Sequence, residues 1–172
     1  WREKSRFWFL GSMAVARFRG RMAGLTPMHS TLTPAFRPMS AHAPLTPSHR
    51  RGFSRPGDEL ANPVTGHRAR VGPQTPLAGE GAVEIEFRLP PRAAGAPWHV
   101  HTQMTEIFAV ETGQLMVEVG ERGHMVLLEA GETLMVAPGT PHGFRNAADA
   151  PVVFRCAATP GAGFENFVRC LY

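Results

Sequence analysis

Residues 97–113 read PWHVHTQMTEIFAVETG, and the placement of polar groups in this stretch decides how the chain is understood. His99 and His101 stand two apart in a segment that reads as extended. Side chains of a strand alternate, so both imidazoles point to one face, with Cα atoms roughly 6.6 Å apart. Val100, between them, points to the other face. From that separation two ring nitrogens can converge on one ion. Glu106 follows five residues after His101, an odd offset that a continuous strand would send to the opposite side. A kink or turn through Thr102 to Thr105 returns it, and the strand that follows then carries Glu106, Phe108 and Val110 inward.

A third imidazole arrives later, in GETLMVAPGTPHGFRN (residues 131–146). His142 comes directly after Pro138-Gly139-Thr140-Pro141, a rigid turn that sets where the next strand begins, and Phe144 shares its face. Three imidazoles and one carboxylate suit a borderline divalent metal such as zinc, iron, manganese, nickel or copper. Calcium and magnesium prefer oxygen donors. Four protein ligands on an octahedral ion leave positions for water or substrate.

Outward from these segments, turn residues recur about every nine positions, the spacing expected of an all-β sandwich or barrel. They lie at Glu111-Thr112-Gly113, Gly120 to Gly123, Ala130-Gly131, Pro138-Gly139 and Asn146 to Asp149. Between them the pattern alternates. Val83, Ile85, Phe87 and Leu89 share one face against Glu84, Glu86 and Arg88, and Leu115, Val117 and Val119 repeat the arrangement. Leu134 with Val136, and Val152, Phe154 and Cys156, do the same. Only at the end does a helical stripe appear, Phe164, Phe167, Val168 and Leu171, expected to cap a sheet.

The net charge of +4 averages two unlike parts. Residues 1–57 hold ten basic residues and one acid, whereas residues 58–172 are acidic by five charges. The first part is rich in Pro, Ser, Thr and Arg without sustained periodicity, so residues 1–57 are expected to form a disordered basic extension. Its opening WREKSRFWFLGSMAVA has features of a targeting peptide. The expected location is cytoplasmic, or secreted or organellar if residues 1–16 act as such a signal. No nucleic-acid motif accompanies the charge. No apolar run is long enough for a membrane-spanning helix, so neither nucleic acid nor membrane is an expected partner. Two cysteines, Cys156 and Cys170, cannot build a disulfide framework or a cysteine-only zinc site. Cys156 reads as a small buried side chain, and His29, His42, His49, His67 and His124 read as ordinary polar residues.

With the motifs quoted, the sequence resembles a family. Gly95-x3-His99-x-His101-x4-Glu106-x6-Gly113 resembles the first cupin motif, and Gly131-x7-Gly139-x2-His142-x3-Asn146 the second. Seventeen residues separate Gly113 from Gly131, and the resemblance extends over residues 62–157. Gly95 stands closer to the histidine pair than in the usual motif, and Ala137 occupies a customary proline position, both in turns. The resemblance implies a small single-domain protein. Its fold would be a cupin-like antiparallel jelly-roll barrel over residues 58–172 with a short C-terminal helix. It further implies a divalent transition metal (Fe, Mn, Ni, Zn or Cu) held by His99, His101, Glu106 and His142, and a homodimer. Phe87, Phe108, Val117, Phe144 and Phe154 are the expected lining of an apolar, substrate-binding cavity for a small molecule. A dioxygenase- or isomerase-like metalloenzyme is one expectation, and a non-catalytic binding or sensing module is the other. No second acid–base group is expected among the inward positions.

Overall fold

The computed structural model describes residues 6–10, 13–19, 57–72, 81–161 and 163–172. In chain order the strands begin with β1 (Arg6–Leu10), β2 (Met13–Arg19), β3 (Glu59–Ala61), β4 (Arg68–Val71) and β5 (Val83–Leu89). They continue with β6 (Thr105–Thr112), β7 (Gln114–Val119), β8 (Met125–Glu129), β9 (Glu132–Val136), β10 (His142–Arg145) and β11 (Val152–Thr159). Among the described residues one helix, α1 (Phe164–Leu171), follows. Strand pairing is antiparallel throughout, in an eight-stranded sheet ordered β1-β2-β9-β6-β11-β5-β4-β3 and a three-stranded sheet ordered β10-β7-β8.

The alternation read in the sequence is what closes these sheets on one another. Ile85, Leu89, Phe108, Leu134 and Phe154 from the larger sheet, and Leu115, Val117, Val119 and Leu128 from the smaller, form one fully buried cluster. Burial of each such side chain contributes about 1.5–3 kcal/mol relative to exposure. Phe154 is the hub, with ring centroids 5.4 Å from Phe87, 5.3 Å from Phe144 and 6.3 Å from Phe108. Gly113 turns the chain from β6 into β7 at φ 79°, a left-handed conformation open to glycine without steric cost. At the other end of the small sheet, buried Asn146 holds the crossing from β10 to β11. Its amide donates to the carbonyls of Pro90 (2.7 Å) and Ala150 (2.8 Å), and its oxygen accepts from the Ala148 amide (3.0 Å).

Two expectations need correcting. The sequence reading places no strand before residue 58, yet β1 and β2 form a hairpin, and β2 extends the large sheet beside β9 from Val15 opposite Val136 to Arg19 opposite Glu132. The physical reason lies in β9. Without β2 it would be a bare edge, and its buried Glu132 would lack cations. Arg17 and Arg19 both pair with that carboxylate, and Arg19 also reaches Glu129 (3.2 Å). Part of the basic charge therefore balances an acid of the barrel. Residues 20–56, where disorder was expected, lie outside the described residues. The second correction concerns α1: Phe164 and Val168 are buried, but Phe167 and Leu171 are 52% and 50% exposed. The helix closes over the rim of a cavity, so its stripe is only half covered.

Candidate metal centre

Local pairing brings the four polar residues together. Residues 95–99 run irregularly along β10, with Gly95 N donating to Phe144 O (3.1 Å) and Phe144 N to Ala96 O (3.1 Å). His99 and His142 then exchange two backbone hydrogen bonds, each 2.8 Å. This approach requires glycine at 95, since a Cβ there would strike the ring and carbonyl of Phe144. After His101 the chain bends through residues 102–103, as the odd offset demands, and the Gly139 amide donates to the His101 carbonyl (2.7 Å). Glu106, second residue of β6, consequently faces inward, opposite Val136 on β9 and Ala158 on β11.

One ligand atom from each of His99, His101, Glu106 and His142 lies within 4.8 Å of all the others. His142 Nε2 stands 2.5 Å from Glu106 Oε2, His101 Nε2 is 3.6 Å from the same oxygen, and the Nε2 atoms of His99 and His101 are 3.0 Å apart. The outer nitrogens explain why the inner ones converge. His142 Nδ1 donates to the Thr140 carbonyl (2.9 Å), and His99 Nδ1 to the Pro97 carbonyl (2.7 Å). In a neutral ring this places the only N–H outside and leaves a lone pair on Nε2. At His142 that lone pair confronts a carboxylate oxygen in a site where both residues are almost fully buried. Such a contact is favourable only when a proton or a metal cation lies between the two atoms. Carbonyl-anchored imidazoles with inward Nε2 are how histidine ligands are commonly held, so the donor set fits a borderline divalent metal.

The electrostatics agree. Burial pushes the Glu106 carboxyl upward, but the hydrogen bond and charge of His142, with His101 and His99 beyond it, outweigh burial and hold Glu106 below its ordinary value. His101 is lowered, first by burial and then by its imidazole neighbours, against the opposing pull of Glu106. Both shifts favour the forms a metal needs, carboxylate and neutral imidazole. The second carboxylate oxygen, Oε1, accepts from the Cys156 thiol (3.6 Å). Burial and the adjacent Glu106 charge push that thiol well up, so Cys156 remains a neutral donor that fixes the carboxylate.

The cluster opens into a cavity of about 590 Å³. Of the expected lining, Phe87 and Phe144 stand on its wall. Phe108, Val117 and Phe154 are fully buried in the core behind it, with the Phe108 ring edge-on to His142 at 6.0 Å. The sequence reading missed Cys156, His67, Tyr172 and the inner side of α1, all of which line the cavity. His67 and Tyr172 also correct the expectation that no further proton-carrying group faces inward. Burial lowers the His67 pKa, partly offset by a hydrogen bond to the Ala94 backbone, and burial pushes the Tyr172 phenol up to about 12. A signal for His67 existed: Ala69 and Val71 are the inward residues of β4, and position 67 shares their parity.

An eight-stranded and a three-stranded antiparallel sheet closed around an apolar core, with three imidazoles and a carboxylate gathered at one end, define a β-barrel with a candidate metal site. The family profile described as Cupin domain matches residues 85–157, so this part of the chain is a cupin domain. Among solved structures it is similar to KdgF from Halomonas sp., at 18% identity over 59% of this chain and 84% of that one, with a TM-score of 0.48. It is also similar to an uncharacterized conserved protein with a double-stranded β-helix domain from Klebsiella pneumoniae, at 25% identity over 64% and 90%, TM-score 0.46. An RmlC-like cupin from Shewanella frigidimarina matches at 17% identity over 64% and 90%, TM-score 0.48. No curated protein matches the sequence significantly. Among the described residues no helix is long and apolar enough to cross a membrane.

Proposed function

We propose that this chain is a metal-dependent cupin enzyme, dioxygenase- or isomerase-like, acting on a small and mainly apolar molecule. The observation that carries the reading is the pair of carbonyl-anchored imidazoles, His99 and His142, whose inner nitrogens meet Glu106 and His101 at the end of a mainly apolar cavity. His99, His101, Glu106 and His142 would hold iron, manganese, nickel, zinc or copper. A metal so held supplies Lewis acidity and, for the redox-active ions, electron transfer. The protein's own part is to exclude water with Phe87, Phe144 and α1, and to keep Glu106 anionic and oriented through Cys156.

The function is expected to be exercised by a homodimer. The β8 strand forms one edge of the small sheet and exposes Met125 and Leu127, a surface a second copy would cover. Elemental analysis of the purified protein, followed by oxygen uptake and product analysis with aromatic and enolisable substrates, tests the enzyme reading. Stoichiometric metal with turnover on one of these substrates is the expected result. Metal without turnover across the panel would favour a binding or sensing module, and protein that takes up no metal overturns the enzyme reading.

A further inference from the structure

The cavity extends well beyond the metal cluster. Glu106 is level with Ala158 on β11, which is level with Val83 on β5. The β4 residue next to His67, Arg68, is level with Arg88, five residues further along β5, or roughly 16 Å of strand. On the opposite wall, Ala94 bridges to Arg145, three residues and roughly 10 Å along β10 from His142. His67 thus stands at the far end of a long chamber whose near end is the His/Glu cluster.

Between those ends the walls are apolar. Phe87, Leu89, Phe144, Phe164 and Val168 line the middle, and Glu106 is the sole charged carboxylate or ammonium-type side chain among the described lining residues. A sugar or a phosphorylated compound would leave its polar groups without partners there, each at a desolvation cost. Flat aromatic bodies fit such walls, because rings pack edge-on or offset against Phe and Tyr.

The far end is polar, lined by Asn62, Thr65, His67 and Tyr172. Asn62 gives one amide N–H to the Leu171 carbonyl (2.8 Å) and accepts from the amides of Val64 (2.9 Å) and Thr65 (3.1 Å). The Thr65 hydroxyl accepts from the His67 amide (3.4 Å). His67 stands on the cavity wall, where a neutral imidazole offers one ring N–H and one lone pair, either of which a hydroxyl group can meet. We infer that the cavity takes an elongated aromatic molecule that presents an oxygen donor to the His99/His101/Glu106/His142 cluster and a hydroxyl group to His67. The inference rests on the metal-centre reading above and adds the class of ligand to it.

Calorimetric titration of the metal-loaded protein with biphenyl-4-carboxylate and 4′-hydroxybiphenyl-4-carboxylate tests it. The carboxylate serves the cluster, and the two probes differ only in the hydroxyl. The hydroxylated probe is expected to bind about five- to tenfold tighter, the worth of one neutral hydrogen bond. His67→Phe is expected to erase that preference with metal content unchanged, and His67→Gln, which restores an acceptor, to recover part of it. Equal affinities in the wild type, absence of binding to a metal-loaded protein, or a preference that survives His67→Phe overturns this inference and leaves the metal centre standing. Protein that takes up no metal overturns the centre and the ligand class with it.

Discussion

Glu106→Gln separates the role of the carboxylate as a metal ligand from its role in the fold. The substitution keeps the shape of a side chain that is only 4% exposed and removes its charge. In metal-free protein the new amide can turn an N–H toward His142 Nε2, which presents a lone pair because its Nδ1 is committed to Thr140. The charge interactions that hold Glu106 below its ordinary pKa are lost with the carboxylate, so metal-free stability falls and each protein is compared with its own metal-free form. Metal binding behaves differently, because an amide oxygen is a poor substitute for a carboxylate on a divalent ion. A loss of about 100-fold in affinity is a modest expectation, given that outer hydrogen-bond partners of ligands already cost about 10- to 100-fold. With free metal at about 1,000 times the wild-type dissociation constant, binding stabilises the native protein by about 4.1 kcal/mol, and a 100-fold weaker site retains about 1.4 kcal/mol. For a chain of this length the difference corresponds to roughly 5–11 °C of melting temperature. Differential scanning calorimetry with and without added metal, on both proteins, measures it. A metal-dependent rise as large in Glu106→Gln as in the wild type would refute the assignment of Glu106 as a ligand.

Further outcomes follow from other contacts. Glu132 is held below its ordinary pKa: burial acts upward, but the Glu129 amide, Arg17 and Arg19 prevail. A carboxyl depressed in the folded state contributes stability above its unfolded pKa, and that contribution is lost as pH falls through the folded value. Arg17→Ala should accordingly lower stability at neutral pH and flatten its decline below about pH 4.5, as read by urea melts across pH; an unchanged acid limb would count against the pairing. Deleting residues 1–19 should lower the melting temperature, because β9 loses its neighbour and Glu132 its cations; a truncated chain as stable as the full one would show that β2 contributes nothing. Phe108→Ala, at a fully buried position, should cost about 3–5 kcal/mol in chemical denaturation, and a loss under 1 kcal/mol would contradict the packing described. Gly95→Ala should weaken metal uptake by forcing residues 95–99 away from β10, and wild-type metal content in a folded variant would contradict that account.

Much of this arrangement was legible before any fold was known. Period-two alternation depends only on the pleat of a strand, so residues 83–89, 115–119 and 152–156 announced their inward faces directly. The four ligand candidates were legible for a chemical reason: imidazoles and a carboxylate on inward parity are costly unless they share a cation. The N-terminal strands were not legible in this way. Arg17 and Arg19 look like tail charges until Glu132, more than a hundred residues away, is found buried beside them.

The sequence by itself therefore determined the inward faces of the central strands, where the chain turns and which side chains are candidate metal ligands, since each of these is a property of neighbours along the backbone. Tertiary structure alone decided that β2 shields β9, that Cys156 fixes the free oxygen of Glu106, and that α1 and His67 close the far side of the cavity. Those contacts join segments distant in the chain, and their geometry is set by how two twisted sheets pack together, which no local pattern encodes.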